Sequence, residues 1–163
     1  MGRRAFFSFH YKPDCTRASM VRNIGALEGD SPVSDNDWET VTRGGDAGIE
    51  RWIDGQMFGK SIVVVLIGTN TAGRKWIDYE IKKGWGDAKG VVGVHIHNLK
   101  DLSGQQAARG LNPFTSFTVG NANLSSIVRT YDAPYSDSKQ VYAHIASNLA
   151  TWADEAVAIR SRY

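Results

Sequence analysis

The chain has 163 residues, of which 42% are hydrophobic and 22% are charged, values that are ordinary for a single globular domain. Its formal net charge of +2 is small and its lysines and arginines are dispersed, so charge does not indicate a nucleic-acid-binding protein. The apolar run Ile62–Ile67 is far shorter than the ~20 residues of a membrane span, and the single Cys15 cannot form an internal disulfide. We therefore expect one cytoplasmic domain over residues 1–163, with neither nucleic-acid nor membrane partners.

The first third of the chain reads as a strand, a helix and a long loop. The aromatic-rich stretch Arg4–Tyr11 predicts the first strand, and apolar residues at helical spacing predict a helix near 14–25. Small and acidic residues over Gly25–Asp37 indicate a loop, with a short strand at Pro32–Ser34. An apolar stripe then predicts a helix over Asp46–Met57.

The run Ile62–Ile67 predicts a strand that is covered on both faces, as in a parallel sheet flanked by helices. A loop of small residues and a helical pattern over about 74–86 follow it. Further along, Gly90–His97 predicts another buried strand, and Ile127–Tyr131 a short last one. Leu99–Thr118 is mostly loop, and Tyr135–Arg160 is a long amphipathic helix. This alternation indicates an α/β fold with a doubly wound parallel sheet.

The helix near 74–86 carries two differently oriented sets of side chains. Three apolar residues share one face, which predicts core packing: Ile77, Ile81 and Trp85. Trp76 and Glu80 form a second i,i+4 pair, rotated by about 100° from the first. On that side Glu80 could face a cleft above the Ile62–Ile67 strand, where an apolar wall would raise its pKa. The alternative is a solvated surface Glu80 paired with Lys83, and spacing alone favours that alternative.

Other residues invite functional interpretations that the pattern supports less well. His95 and His97 point to the same face of a strand, which suggests a metal site, but no third ligand accompanies them at convincing spacing. Cys15 with a histidine could form a nucleophilic pair, although nothing in the pattern supports it. Trp52 and Trp152 fall on helical stripes, which predicts core positions.

Four motifs in order resemble a known family. They are FFSFHY at 6–11, IGTNTAGRKWIDYEI at 67–81, GVHIH at 93–97 and NPF at 112–114. Their order and spacing are similar to those of the TIR-like proteins of the Thoeris antiphage defence system, over roughly residues 3–115. The resemblance implies a flavodoxin-like, TIR-type three-layer sandwich with a central, mostly parallel five-stranded sheet flanked by helices.

The resemblance also implies the site. In enzymatically active TIR domains the glutamate of the Trp-x-x-x-Glu motif is catalytic and the substrate is NAD⁺, which assigns catalysis to Glu80. The residues implied for substrate binding are Ser8, Phe9, His10, Tyr11, Trp38 and Trp76. Many nucleotide-cleaving TIR domains have arginine after the Ser-aromatic step, whereas this chain has His10 and Tyr11 there. That departure leaves the contact to the pyrophosphate unassigned.

The implied activity is cleavage of the nicotinamide–ribose bond and formation of a cyclic ADP-ribose-type signal that activates a separate effector protein. A phage-derived trigger and self-association on activation would accompany it, with NAD⁺ as substrate and no cofactor or metal. One carboxylate suffices for this chemistry, because the cationic nicotinamide leaves without protonation from an oxocarbenium-like transition state. The alternatives are a catalytically silent TIR module that acts by self-association or partner binding, and a nucleoside or nucleotide transferase.

Overall fold

A computed structural model describes residues 3–29 and 40–163, and within them a central sheet has five strands that all run parallel. The strands in chain order are Arg4–Ser8 (β1), Glu28–Gly29 (β2), Ile62–Ile67 (β3), Gly90–His95 (β4), Thr118–Val119 (β5), Ala122–Asn123 (β6) and Thr130–Tyr131 (β7). The sheet order is β2-β1-β3-β4-β7, while β5 and β6 form a separate antiparallel hairpin. This is the order of flavodoxin-like folds, so the predicted fold class is confirmed.

Four helices whose bounds are fully described cover the two faces of this sheet. They are Tyr11–Arg22 (α1), Gly45–Met57 (α2), Lys75–Gly86 (α3) and Ser138–Arg160 (α4). Apolar side chains of α1 and α4 pack on one face, and those of α2 and α3 pack on the other. In the described part of the chain no helix is long and apolar enough to cross a membrane.

Strand β3 is buried along its whole length, as its sequence predicts. Alternate side chains point to opposite faces, so Val63 and Val65 join the α2–α3 core while Val64 and Leu66 join the α1–α4 core. Its partners in the sheet are β1 and β4, which keep both of its edges hydrogen-bonded. The strand therefore forms the middle of the three-layer structure.

Glycines allow the chain to turn from β3 into α3 and to bring that helix close to the sheet. Gly73 adopts a φ of +82°, a left-handed conformation that favours glycine, just before α3 begins. Within α3, a Cβ on Gly84 would lie 2.6 Å from Cγ2 of Val63. The helix therefore packs against β3 at a distance that a larger residue at position 84 would prevent.

Several element boundaries differ from the sequence prediction. The first strand ends at Ser8, and α1 already begins at Tyr11 instead of near residue 14. Pro13 is compatible with this early start, because the first-turn N–H groups of a helix have no intrahelical partner. Strand β2 lies inside the predicted loop, and the strand predicted at Pro32–Ser34 lies outside the described residues.

The second half of the chain follows the prediction more closely. The 99–118 segment is mostly irregular, with a short 3₁₀ turn at Pro113–Ser116 and the first residue of β5 at its end. The predicted last strand is reduced to β7, and the β5–β6 hairpin was not predicted. Helix α4 begins at Ser138, where the Asp137 side chain accepts a hydrogen bond from the Gln140 backbone N–H at 3.0 Å. That cap explains why the helix starts later than Tyr135.

Candidate active site

A pocket of about 590 Å³ opens beside β1 and the turn that follows it, between α2 and the start of α3. Parallel sheets commonly bind ligands outside the carboxyl ends of their strands, and the turn after β1 is at that end. Its described lining residues are Ala5, Phe6, Phe7, Phe9, His10, Tyr11, Lys12, Arg22, Trp52, Ile53, Gln56, Arg74, Lys75, Trp76, Ile77 and Glu80. The predicted catalytic residue is thus part of a real cavity.

Glu80 is buried, with 7% of its surface exposed, yet it also borders the pocket. Burial raises the pKa of its carboxyl group to about 8, because removal from water disfavours the charged form. A hydrogen bond from Oγ of Ser8 to Oε1 of Glu80, 3.1 Å long, acts in the opposite direction by stabilising the carboxylate. Burial therefore favours the neutral acid, and a cation beside Glu80 would favour the carboxylate.

The core face of α3 positions this carboxyl group. Ile77 and Ile81 are buried in the α2–α3 core, which fixes the rotation of the helix. Trp76 and Glu80 then lie one turn apart beside the pocket, as the i,i+4 spacing predicts. The alternative of a solvated Glu80 paired with Lys83 is wrong. Lys83 instead forms ion pairs with Asp87 at 3.1 Å and with Asp54 at 3.8 Å.

Aromatic side chains form much of the pocket wall. Phe9 and Tyr11 stack with ring centroids 6.1 Å apart and an angle of 29° between their planes. Trp76 is half-buried and meets the ring of Tyr79 edge-on at 5.7 Å, which limits how the indole can turn. These rings can stack on planar ligand groups and exclude water from the carboxyl group.

The structure brings most of the predicted site residues together. Those that line the pocket are Phe9, His10, Tyr11, Trp76 and Glu80. Ser8 is 1% exposed and is not among the described lining residues, but its hydroxyl group donates a hydrogen bond to Glu80. Trp38 lies outside the described residues.

Further residues, some of them on other elements, also line the pocket, and their sequence patterns did not predict this role. Trp52 was predicted to be a core residue, which is wrong in part. Its half-buried indole packs against the α2–α3 core and also lines the pocket. The place of Trp52 on the apolar stripe of α2 predicted only core packing and not a place in the pocket wall. Trp152 is buried, as predicted. Arg74 and Lys75 directly precede the Trp-x-x-x-Glu motif, a proximity that could have identified them.

His95 and His97 lie at the end of β4 and just after it, and they are not among the pocket-lining residues. Their rings meet edge-on with centroids 5.7 Å apart, and both are buried. Desolvation lowers the pKa of His95 to about 4 and also lowers that of His97, so both are neutral at pH 7. Over residues 3–29 and 40–163, no cluster of three or more His, Cys, Asp or Glu residues could hold a metal ion. Cys15 is a free, partly buried thiol on α1.

The pocket combines one carboxyl group with aromatic walls and several cationic side chains. Among its described lining residues, Glu80 is the only acid. One buried carboxylate can stabilise a positive charge that develops on a bound sugar, while the absence of a paired acid fits a leaving group that needs no proton. The arrangement is suited to breaking a bond from an anomeric carbon to a cationic base.

Comparison with known proteins gives results that are consistent with this site. Residues 6–101 match the family described as "Thoeris protein ThsB, TIR-like domain". A Bacillus cereus (strain MSX-D12) protein named "Putative cyclic ADP-D-ribose synthase ThsB1" is 35% identical over 119 residues. That alignment covers 70% of this chain and 62% of the relative, so the chain corresponds to less than two thirds of the relative's length.

The matched region contains the end of β1 and all of α1, β2, α2, β3, α3 and β4, and with them both partners of the Ser8–Glu80 hydrogen bond. The family match and the parallel five-stranded sheet of the described residues indicate the same TIR-type α/β fold. The chain belongs to the TIR-like domain family of the Thoeris ThsB proteins.

Proposed function

We propose that this protein cleaves NAD⁺ at the bond between nicotinamide and ribose and converts the remainder into a cyclic ADP-ribose-type product. The observation that carries the proposal is the placement of Glu80, a buried carboxyl group that borders a 590 Å³ pocket with aromatic walls. The name of the Bacillus cereus relative supports the same reaction class, and the family match supports the relationship between the two chains.

The chemistry follows from the charge of the substrate. Binding places the cationic nicotinamide riboside end beside Glu80, which favours loss of the proton from its carboxyl group. The C1′–N bond then breaks, its electron pair leaves with neutral nicotinamide, and the carboxylate stabilises the oxocarbenium-like ribose. A nucleophilic group elsewhere in the same nucleotide bonds to C1′ and loses a proton, which closes the ring. Capture by water would instead give ADP-ribose, so the aromatic walls favour cyclisation by excluding water.

The cellular role that we propose is antiphage signalling. The cyclic product diffuses to a separate effector protein and activates it, and self-association of this domain in response to a phage-derived trigger starts synthesis. NAD⁺ is the substrate and the reaction uses no further cofactor. Support for this role comes from membership of the Thoeris family.

The test compares wild type with Glu80→Gln, using Glu50→Gln as the matched control. Glu50 is an exposed acid on α2 and is not among the described lining residues, so its replacement makes the same chemical change away from the pocket. Purified protein, alone and with lysate of phage-infected cells, is incubated with NAD⁺, and nicotinamide release and product masses are followed. We expect nicotinamide and a cyclic product from wild type and Glu50→Gln, and a loss of at least about a hundredfold in Glu80→Gln.

One result would overturn the enzymatic proposal. If wild type releases no more nicotinamide than Glu80→Gln both alone and with infected-cell lysate, the domain is a catalytically silent TIR module. A linear product in place of the cyclic one would keep the cleavage step but reject cyclisation.

A further inference from the structure

Charge is separated along the candidate pocket. Glu80 lies at its buried end, whereas the other charged lining residues among those described are cationic: Lys12, Arg22, Arg74 and Lys75. Lys12, Arg74 and Lys75 are exposed and therefore lie at the mouth of the pocket. A ligand with one cationic end and an anionic middle matches this distribution.

Arg74 differs from the neighbouring Lys75 in having its charged group available. The ammonium of Lys75 is ion-paired with Asp46 and lies 4.9 Å from the ring centroid of Trp76. The side chain of Arg74 forms no hydrogen bond or ion pair with any residue in the described part of the chain, and only its backbone carbonyl is engaged, by the N–H of Asp78. Its charge nevertheless reaches His10 on the turn after β1, where burial and then Arg74 lower the pKa of the imidazole. Arg74 therefore lies near the mouth of the pocket, on the side of that turn.

The position of Arg74 along α3 sets its distance from the carboxyl group. It is the N-cap residue of the helix, and its side chain makes no capping hydrogen bond. Because Glu80 is six residues further on, the two positions differ by about 9 Å along the helix axis. In NAD⁺ only a ribose and its methylene separate the scissile bond from the pyrophosphate, so a long arginine side chain can span the remaining distance.

We infer that Arg74 binds the pyrophosphate of NAD⁺ at the mouth of the pocket, with Lys12 as a second cation and the N terminus of α3 adding its free N–H groups. Guanidinium–phosphate hydrogen bonds are charge-assisted, and a helix N terminus favours anions. This inference rests on the proposed function. It assigns the contact to the pyrophosphate, which the presence of His10 and Tyr11 after β1 left unassigned. The cation comes from the start of α3, on the side of the turn that follows β1.

The experiment measures binding without turnover, in the Glu80→Gln background. Calorimetry gives the dissociation constants of NAD⁺ and of nicotinamide riboside, which lacks the pyrophosphate, for Arg74→Gln, Arg74→Lys and the parent. Arg162→Gln is the matched control, because Arg162 is exposed near the chain end. We expect Arg74→Gln to weaken NAD⁺ binding by about tenfold, Arg74→Lys to restore part of it, and nicotinamide riboside binding to stay unchanged.

Other outcomes separate this inference from the proposed function. Unchanged NAD⁺ affinity in Arg74→Gln, or an equal loss for both ligands, would overturn the role of Arg74 while leaving NAD⁺ as the substrate. If neither this parent nor wild type binds either ligand, the proposed function and the inference both fail. Thermal melting of each variant confirms that the compared proteins are folded.

Discussion

Oγ of Ser8 donates a hydrogen bond to Oε1 of Glu80 over 3.1 Å, which joins the end of β1 to α3 between residues that are 72 positions apart. Both side chains are buried. Burial favours the neutral acid and the hydrogen bond favours the carboxylate, and burial is the stronger influence. The pKa of Glu80 is thus set by its burial and by its hydrogen bond with Ser8, and both arise only in the folded chain.

The first prediction concerns the dependence of NAD⁺ cleavage on pH. Since the proposed reaction needs the carboxylate and the pKa of Glu80 in the free protein is about 8, kcat/KM should rise with pH up to that value. The rise in kcat should occur at lower pH, because the bound cation favours the ionised form. Initial rates of nicotinamide release between about pH 6 and about pH 9.5 measure both profiles. A kcat/KM that falls over this range would contradict the carboxylate role.

The second prediction concerns Ser8→Ala. Loss of the hydroxyl removes the group that stabilises the carboxylate, so the pKa of Glu80 should rise further and the rising limb of kcat/KM should move to higher pH. At pH 7 we expect kcat/KM to fall by roughly tenfold, with a smaller loss at high pH. Ser61→Ala is a suitable control, because Ser61 is exposed and lies just before β3, at the amino edge of the sheet. A pH profile in Ser8→Ala that equals that of wild type would rule out the electrostatic role of Ser8.

The third prediction concerns the stability of Glu80→Gln as a function of pH. The folded-state pKa of Glu80 is raised from 4.5 to about 8, so its contribution to stability is fully present below 4.5 and is lost as pH rises to about 8. Glutamine does not titrate. The variant should therefore gain stability relative to wild type across that window, on the order of a few kcal/mol at most. Urea unfolding at several pH values measures this difference, and a constant difference would contradict the raised pKa.

The fourth prediction concerns the aromatic wall. Trp76→Ala should reduce turnover and increase the share of linear ADP-ribose, because the open wall admits water to the ribose. Trp76→Phe should retain more activity and a product ratio closer to that of wild type. Trp85→Phe on the same helix serves as the control, since Trp85 is not among the described lining residues. Unchanged turnover and product ratio in Trp76→Ala would exclude a role for this indole in the pocket.

The fifth prediction concerns the close packing of α3 on β3. Gly84→Ala would place a Cβ 2.6 Å from Cγ2 of the fully buried Val63, so it should destabilise the protein by about 1–3 kcal/mol. Gly86→Ala is the matched control in the same helix, because an added Cβ there meets open space. Thermal unfolding compares the two variants, and equal melting temperatures would show that the helix can shift without cost. Because α3 also carries Glu80, Gly84→Ala should lower activity as well.

The elements that the sequence predicted well are those encoded by local patterns. The uniformly apolar Ile62–Ile67 is a strand with those same bounds, and the stripes of α2 and α3 give helices that begin within one residue of the predicted positions. The predicted boundaries were wrong where a single contact sets them. At the start of α4, the side chain of Asp137 caps the helix and so ends the preceding loop. Within the described residues the short strands β5 and β6 pair only with each other, and no periodicity can be seen in elements of that length.

By itself, the sequence determined the strand-loop-helix order around Glu80 and its i,i+4 pairing with Trp76, because helix geometry depends only on spacing along the chain. The motifs also determined the family. Only the tertiary structure decided that Glu80 is buried and not solvated, since that depends on Ser8 from another strand and on the packing of α3 against the sheet. It also decided that Trp52 from α2 and Arg74 from the start of α3 border the same pocket. Burial and proximity arise from distant segments meeting in space, and no local pattern carries that information.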